Sequence, residues 1–226
     1  MAGDKLSKNL EEIRARIKHA AERSGRKQEE IELIAVSKNH PVAMIEFFRK
    51  KGINFFGENR VQDLLEKDGQ LAGVNWHFIG HLQRNKVKQL LRLENCRMIH
   101  SLDTLRLARE IDQRAEQYNK IIPVLIEVNV AGDLNKFGLA PNDVFDFVQL
   151  LQQFKNIELK GLMTIAPYVA DPEKVRPFFQ RLSLLREQLW AKGYHFKELS
   201  MGMTNDYEVA IEEGSTMIRI GSGLFE

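Results

Sequence analysis

Eight short apolar runs, each separated from the next by a stretch of helical periodicity, constrain this chain more than any other feature. The runs are Leu33–Val36, Asn54–Phe56, Trp76–Ile79, Met98–His100, Ile122–Val130, Leu159–Met163, Phe196–Leu199 and Met217–Ile220. Strands alternating with helices predict a parallel sheet, because parallel neighbours need a crossover between them. A chain of 226 residues suits one (β/α)8 barrel, which takes ~200–250 residues. An open doubly wound sheet is the alternative. The barrel is favoured because no G-x-G-x-x-G follows the first strand, whereas phosphate-like loops follow the seventh and eighth. One domain over residues 1–226 is therefore expected.

Punctuation along the chain supports this alternation. Leu6, Leu10, Ile13, Ile17 and Ala20 recur at three- and four-residue spacing, predicting an extra N-terminal helix that Gly25 stops. Pro41 suits the start of a helix directly after the first strand. Asp171-Pro172-Glu173 supplies an N-cap and an acidic first turn. Pro177 implies a kink or a later start for that helix. Residues 62–73 read as looser, with an exposed turn.

Composition removes several function classes. Lys and Arg exceed Asp and Glu by only 33 to 31, which gives no electrostatic case for nucleic acid. Cys96 is the lone cysteine, so no intrachain disulfide framework forms. No run reaches the ~18–20 apolar residues of a membrane span, and the first residues lack a signal-peptide core. The expectation is a cytoplasmic protein. His77 and His81 make no compact ligand cluster with other residues, so no metal is expected.

Chemistry concentrates at the predicted carboxyl ends of the strands. Lys38 closes the first strand in IELIAVSKNHP, where a barrel presents residues to its catalytic mouth. A neutral amine there attacks an aldehyde, and partial burial favours the neutral form. On this fragment alone, a solvated strand-end lysine is the commoner outcome. In KELSMGMTNDYEVAIEEG, Ser200 and the N–H groups around Met201-Gly202-Met203 suit a phosphate beside a helix start. Thr204 or Asn205 is the expected cap. MIRIGSGLFE adds Gly221, Ser222 and Gly223 as a second anion-directed turn. Arg219 leaves the last strand on the same face as Gly221. In GENRVQD, Asn59 suits a hydrogen bond to a ring oxygen or a helix cap.

Taken in order, AVSKNHP, FGENRVQD, WHFIGHLQRNK, VNVAGDLNKFG, GLMTIAP, SMGMTNDYEVAI and GSTMIRIGSGLF resemble the pyridoxal phosphate homeostasis protein family over almost the whole chain. The resemblance implies a TIM-like barrel similar to the N-terminal barrel domain of alanine racemase, the fold-type III arrangement. It implies pyridoxal 5′-phosphate (PLP) as cofactor, with Lys38 as the Schiff-base lysine and Asn59 as a ring neighbour. Ser200, Met201, Gly202, Gly221 and Ser222 would hold the phosphate, Arg219 would face the pyridine nitrogen, and His77 and Met163 would be pocket residues. Asn39, Arg60 and Thr204 depart from the commonest family pattern without removing an anchor.

The implied function is intracellular PLP homeostasis: holding the cofactor and releasing or delivering it to PLP-dependent acceptor enzymes. Effects on amino-acid and keto-acid balance would be indirect. A racemase-like enzyme is the alternative, and it needs an acid/base group opposite the lysine. Only Ser222–Glu226 follow the last strand motif, leaving no room for the additional domain that supplies such a group in alanine racemase. Tyr168 and Tyr207 are the candidate substitutes. A phosphosugar-type barrel enzyme, with Lys38 as general acid, is a third reading. A monomer is favoured, since no long heptad seam is present.

Overall fold

Each apolar run becomes a strand, and the eight strands close on themselves. The computed structural model describes residues 2–133 and 135–226. Helix α1 (Ala2–Arg23) precedes β1 (Glu32–Val36), α2 (Val42–Lys50), β2 (Phe55–Glu58), α3 (Val61–Asp68), β3 (Asn75–Phe78), α4 (Arg84–Leu90) and β4 (Cys96–Leu102). The second half runs α5 (Leu105–Gln117), β5 (Ile122–Glu127), α6 (Val144–Leu151), β6 (Ile157–Met163), α7 (Arg176–Ala191), β7 (Glu198–Ser200), α8 (Tyr207–Glu212), β8 (Met217–Ile220) and α9 (Ser222–Phe225). The strands pair in sequence order, and β1 pairs with β8 in parallel to complete the barrel.

Two apolar populations follow from strand alternation. Ile34, Met98, Leu125, Met163 and Met217, with Phe55 against them, form a small cluster separate from the main core. Their positions on five strands mark the barrel interior. The main core lies between strands and helices and includes Ala35, Phe56, Trp76, Phe78, Ile99 and Ile218. Burying both faces explains why these strands read as continuous apolar runs.

Local chemistry sets the boundaries. Pro177 falls within the first turn of α7, where its missing N–H costs nothing, and Pro172–Val175 forms a separate 3-10 turn before it. Asp171 caps that turn by accepting from the Glu173 N–H. The expected cap at Thr204 or Asn205 is corrected: α8 begins at Tyr207, with Asp206 at its N-cap. The Asp206 side chain turns back to accept from the Met203 N–H at 2.6 Å. Residues 62–68, expected to be loose, belong to α3. Helix α1 buries Leu6, Leu10, Ile13, Ile17 and Ala20, and its Asn9 donates to the Leu224 carbonyl at 3.1 Å. No helix among the described residues is long and apolar enough to cross a membrane.

Candidate functional site at the barrel mouth

The three loops after β8, β1 and β2 are neighbours around the carboxyl-terminal rim. Ile34 pairs with Phe55 on one side and with Arg219 on the other. Val36 registers beside Gly57, and a Cβ on Gly221 would meet Val36 at an ordinary 3.6 Å. Lys38 therefore emerges between Ser222 and Asn59. The strand itself ends at Val36, so Lys38 occupies a turn two residues further on and is exposed rather than partly buried. Asn39 holds a left-handed φ of 64° in that turn, a conformation Asn tolerates better than most residues. The His40 ring stacks on Phe225 with centroids 4.3 Å apart, fixing the loop beyond the lysine.

Beside Lys38, the β8–α9 turn meets the loop after β7. Gly223 N–H donates to Thr204 Oγ1 at 3.3 Å, and Ser222 Oγ donates to the same oxygen at 3.4 Å. Ser222 is exposed and Thr204 half-buried, so two hydroxyls meet at the rim beside the Gly221–Gly223 turn. The segment around Ser200 is arranged differently from the expectation. The Met201 N–H donates to the Met217 carbonyl at 3.1 Å, and its side chain lies wholly within the helix-side core. Gly202 adopts φ +95°, and a Cβ there would come within 2.6 Å of Ala210 Cβ. Its glycine serves the packing of α8. Ser200 is 0% exposed, with its hydroxyl between His100 and Arg219.

Arg219 lies beneath the rim, donating from Nη1 to Ser200 Oγ at 2.6 Å and from Nη2 to the Thr164 carbonyl at 2.9 Å. Burial lowers its guanidinium to about 10, against the attraction of Asp206 and Glu127. Burial likewise raises Glu127 to about 7, helped by Asp103. Met163 belongs to the interior cluster, pairing with Glu127 on one side and Ser200 on the other. His77 is also interior: its Nδ1 lies 2.8 Å from His100 Nε2, and burial lowers it to about 3. Asn59 is half-buried at the end of β2.

Sequence reasoning missed Thr204, His100, Glu58 and Lys67. Thr204 had a local signal, a hydroxyl following SMGM, but was read as a cap. Glu58 had its place in GEN; it is 0% exposed and accepts from Lys67 Nζ at 2.6 Å. His100 and Lys67 carried no signal in their own segments.

The rim thus brings together an exposed amine and two hydroxyls beside a glycine turn, with a buried guanidinium below. The family model for the alanine racemase N-terminal domain matches residues 8–226. A protein of Aquifex aeolicus named pyridoxal phosphate homeostasis protein is 44% identical over 227 residues, covering 99% of this chain and 97% of that one. PipY of Synechococcus elongatus, solved with PLP bound, superposes with a TM-score of 0.79 at 34% identity, over 87% of this chain and 93% of PipY. Clostridium difficile alanine racemase shares the barrel at a TM-score of 0.78 and 16% identity. That match covers 98% of this chain but only 59% of the racemase, and at this identity the likeness is one of fold alone.

Proposed function

The chain belongs to the pyridoxal phosphate homeostasis protein family, built on the barrel of the alanine racemase N-terminal domain, and we propose that it binds PLP through Lys38 to hold and release it. The observation that carries this reading is the rim order Ser222, Lys38, Asn59, set by the β8–β1–β2 pairing, with Thr204 alongside. When bound, the cofactor supplies an aldehyde able to form a Schiff base with a lysine amine.

Each residue then has a task. Lys38, exposed at the mouth, is open to attack by the aldehyde and equally to displacement by water or an incoming amine. Thr204, Ser222 and the N–H groups of the Gly221–Gly223 turn take the phosphate. Asn59 neighbours the ring from the other side of Lys38. Ser200 and Met201 support the site from below, with Ser200 holding Arg219. A guanidinium set against a ring nitrogen disfavours its protonation, which suits storage better than carbanion chemistry. Met163 and His77 form part of the floor.

A racemase reading needs an acid/base group fixed opposite Lys38. Tyr207 is 2% exposed in α8, and Arg16 of α1 lies over its ring at 5.2 Å, away from the mouth. Tyr168 is 87% exposed in the loop after β6. Neither supports a two-base reaction. The test is to load the protein with PLP, mix it with a PLP-free acceptor enzyme, and follow acceptor activity alongside Cα-proton exchange of alanine in D2O. Activation of the acceptor without exchange is expected. Catalytic exchange dependent on Lys38 would overturn the carrier reading.

A further inference from the structure

Four buried side chains from four strands join into one line through the barrel interior. Arg219 of β8 donates to Ser200 of β7 at 2.6 Å. Ser200 Oγ lies 3.0 Å from His100 Nδ1 of β4, and His100 Nε2 lies 2.8 Å from His77 Nδ1 of β3. Beyond it, His77 Nε2 faces Glu32 Oε1 of β1 at 3.8 Å. That spacing is proximity rather than an ion pair, since burial keeps His77 neutral. Glu32 lines a cleft of about 490 Å³ at the amino-terminal end of the barrel, together with Glu198, Lys197 and Arg14. The line therefore joins the cofactor end of the barrel to its base.

The sense of this line follows from donor inventory. Arginine donates only, so Ser200 Oγ must accept from Arg219. The Ser200 hydroxyl hydrogen then has His100 Nδ1 as its partner. His100, accepting at Nδ1 and neutral, carries its proton on Nε2 and donates to His77 Nδ1. His77 in turn carries its proton on Nε2, directed at Glu32, which is an ionised acceptor above about pH 7. The opposite sense would leave the Ser200 hydrogen without that acceptor and turn a bare nitrogen toward a carboxylate. Burial holds both imidazoles neutral, His100 further still because of its neighbours His77 and Arg219.

We propose that His77 and His100 are positioning residues for Arg219: as a pair of neutral Nε2–H tautomers they orient Ser200, which fixes the guanidinium beneath the mouth. The charged groups around the line fit this arrangement. Glu127 of β5 and Asp206 before α8 attract the guanidinium. At the far end, Glu198 of β7 faces Glu32, and Arg14 and Lys197 share its cleft. The effect on the cofactor rests on the PLP-binding reading above; the tautomers do not.

The first test is long-range nitrogen–proton NMR on the full-length, histidine-labelled protein without PLP, with assignments made by His77→Gln and His100→Gln. Neutral Nε2–H patterns for both are expected at about pH 8, where Glu32 is ionised, with no imidazolium formed down to about pH 6 in the ordinary histidine range. An Nδ1–H tautomer at either residue at about pH 8, or protonation to imidazolium above about pH 6, would overturn the proposal. The second test compares PLP release from His100→Phe and His100→Gln, with thermal stability followed in parallel. Loss of the Ser200 contact should speed release about tenfold in the phenylalanine variant, with the amide of the glutamine variant restoring much of the retention. Equal release rates in both variants and the parent would overturn it. If His100→Phe fails to fold, the tautomer measurement on the parent protein decides. Failure of PLP to attach to Lys38 would sink the cofactor reading while leaving the tautomer result standing.

Discussion

Lys67 Nζ stands 2.7 Å from the carbonyl oxygen of Ser37, the residue immediately before Lys38, and 2.6 Å from Glu58 Oε1. Ser37 Oγ donates to the same carboxylate oxygen at 2.7 Å. Lysine 67 from α3 thus ties the end of β1 to the end of β2, directly behind the proposed cofactor lysine. Glu58 is fully buried, and its Oε2 has no hydrogen-bond partner among the described residues, so Lys67 is the cation that compensates it.

Lys67→Met should therefore cost about 3–5 kcal/mol, because it leaves a buried carboxylate without its cation. Urea denaturation measures this directly. Removing both charges with Lys67→Met and Glu58→Gln should recover part of the loss. A double variant no more stable than the single one would show that the pair contributes little.

At the base of the barrel, burial and the facing Glu198 raise Glu32 to about 7 from its ordinary 4.5. Between those two pH values the folded protein keeps a proton that the unfolded chain has released. The stability from this group is full below about pH 4.5 and is lost as pH rises to about 7. Glu32→Gln should remove that dependence. It should gain about 1–3 kcal/mol over the parent at pH 8, relative to the difference between the two at pH 4.5. Chemical denaturation at the two pH values reads the change.

Gly202→Ala should destabilise by about 2–4 kcal/mol. Its φ of +95° is unfavourable to any side chain, and the new Cβ would press within 2.9 Å of Tyr207 Cα. Gly202 also accepts the Arg219 N–H at 3.0 Å, so the variant should disturb the cofactor end of β8. Thermal unfolding measures the first effect and PLP titration the second.

Two hydroxyls that resemble each other in sequence should separate by experiment. Thr204→Val removes a rim hydroxyl and should weaken PLP affinity about tenfold with little loss of fold stability. Ser200→Ala strips Arg219 Nη1 of its acceptor within the core and should cost about 1–3 kcal/mol of stability. Paired PLP titrations and urea curves distinguish the two.

The strands were legible because burial on both faces makes their apolar runs continuous, and Met217–Ile220 is found with the expected ends. The barrel could be favoured over an open sheet only from the loops after the first and the last two strands. Local punctuation was less reliable where a side chain reaches beyond its neighbours. Asp206, not Thr204 or Asn205, holds the N-cap position of α8 while bonding back to Met203. The positions of Lys38, Asn59 and Ser222 on the rim followed from strand ends. The contacts of His77 and Ser200 did not, because His77 meets His100 across 23 residues and His100 meets Ser200 across 100. Such pairings arise only when the barrel closes. Lys67 was obscured for the same reason, since its segment gave no sign that α3 would carry its amine to the back of β1.

The central claim is that Lys38 is the point of attachment for PLP. Purified full-length protein is incubated with excess PLP, reduced with borohydride and mapped by peptide mass spectrometry, with Lys38→Ala treated in parallel. A single pyridoxyl adduct on Lys38, absent from the variant, is the predicted result. No adduct, or one concentrated on another lysine, would contradict the assignment and return the site to a phosphate-binding barrel without covalent chemistry.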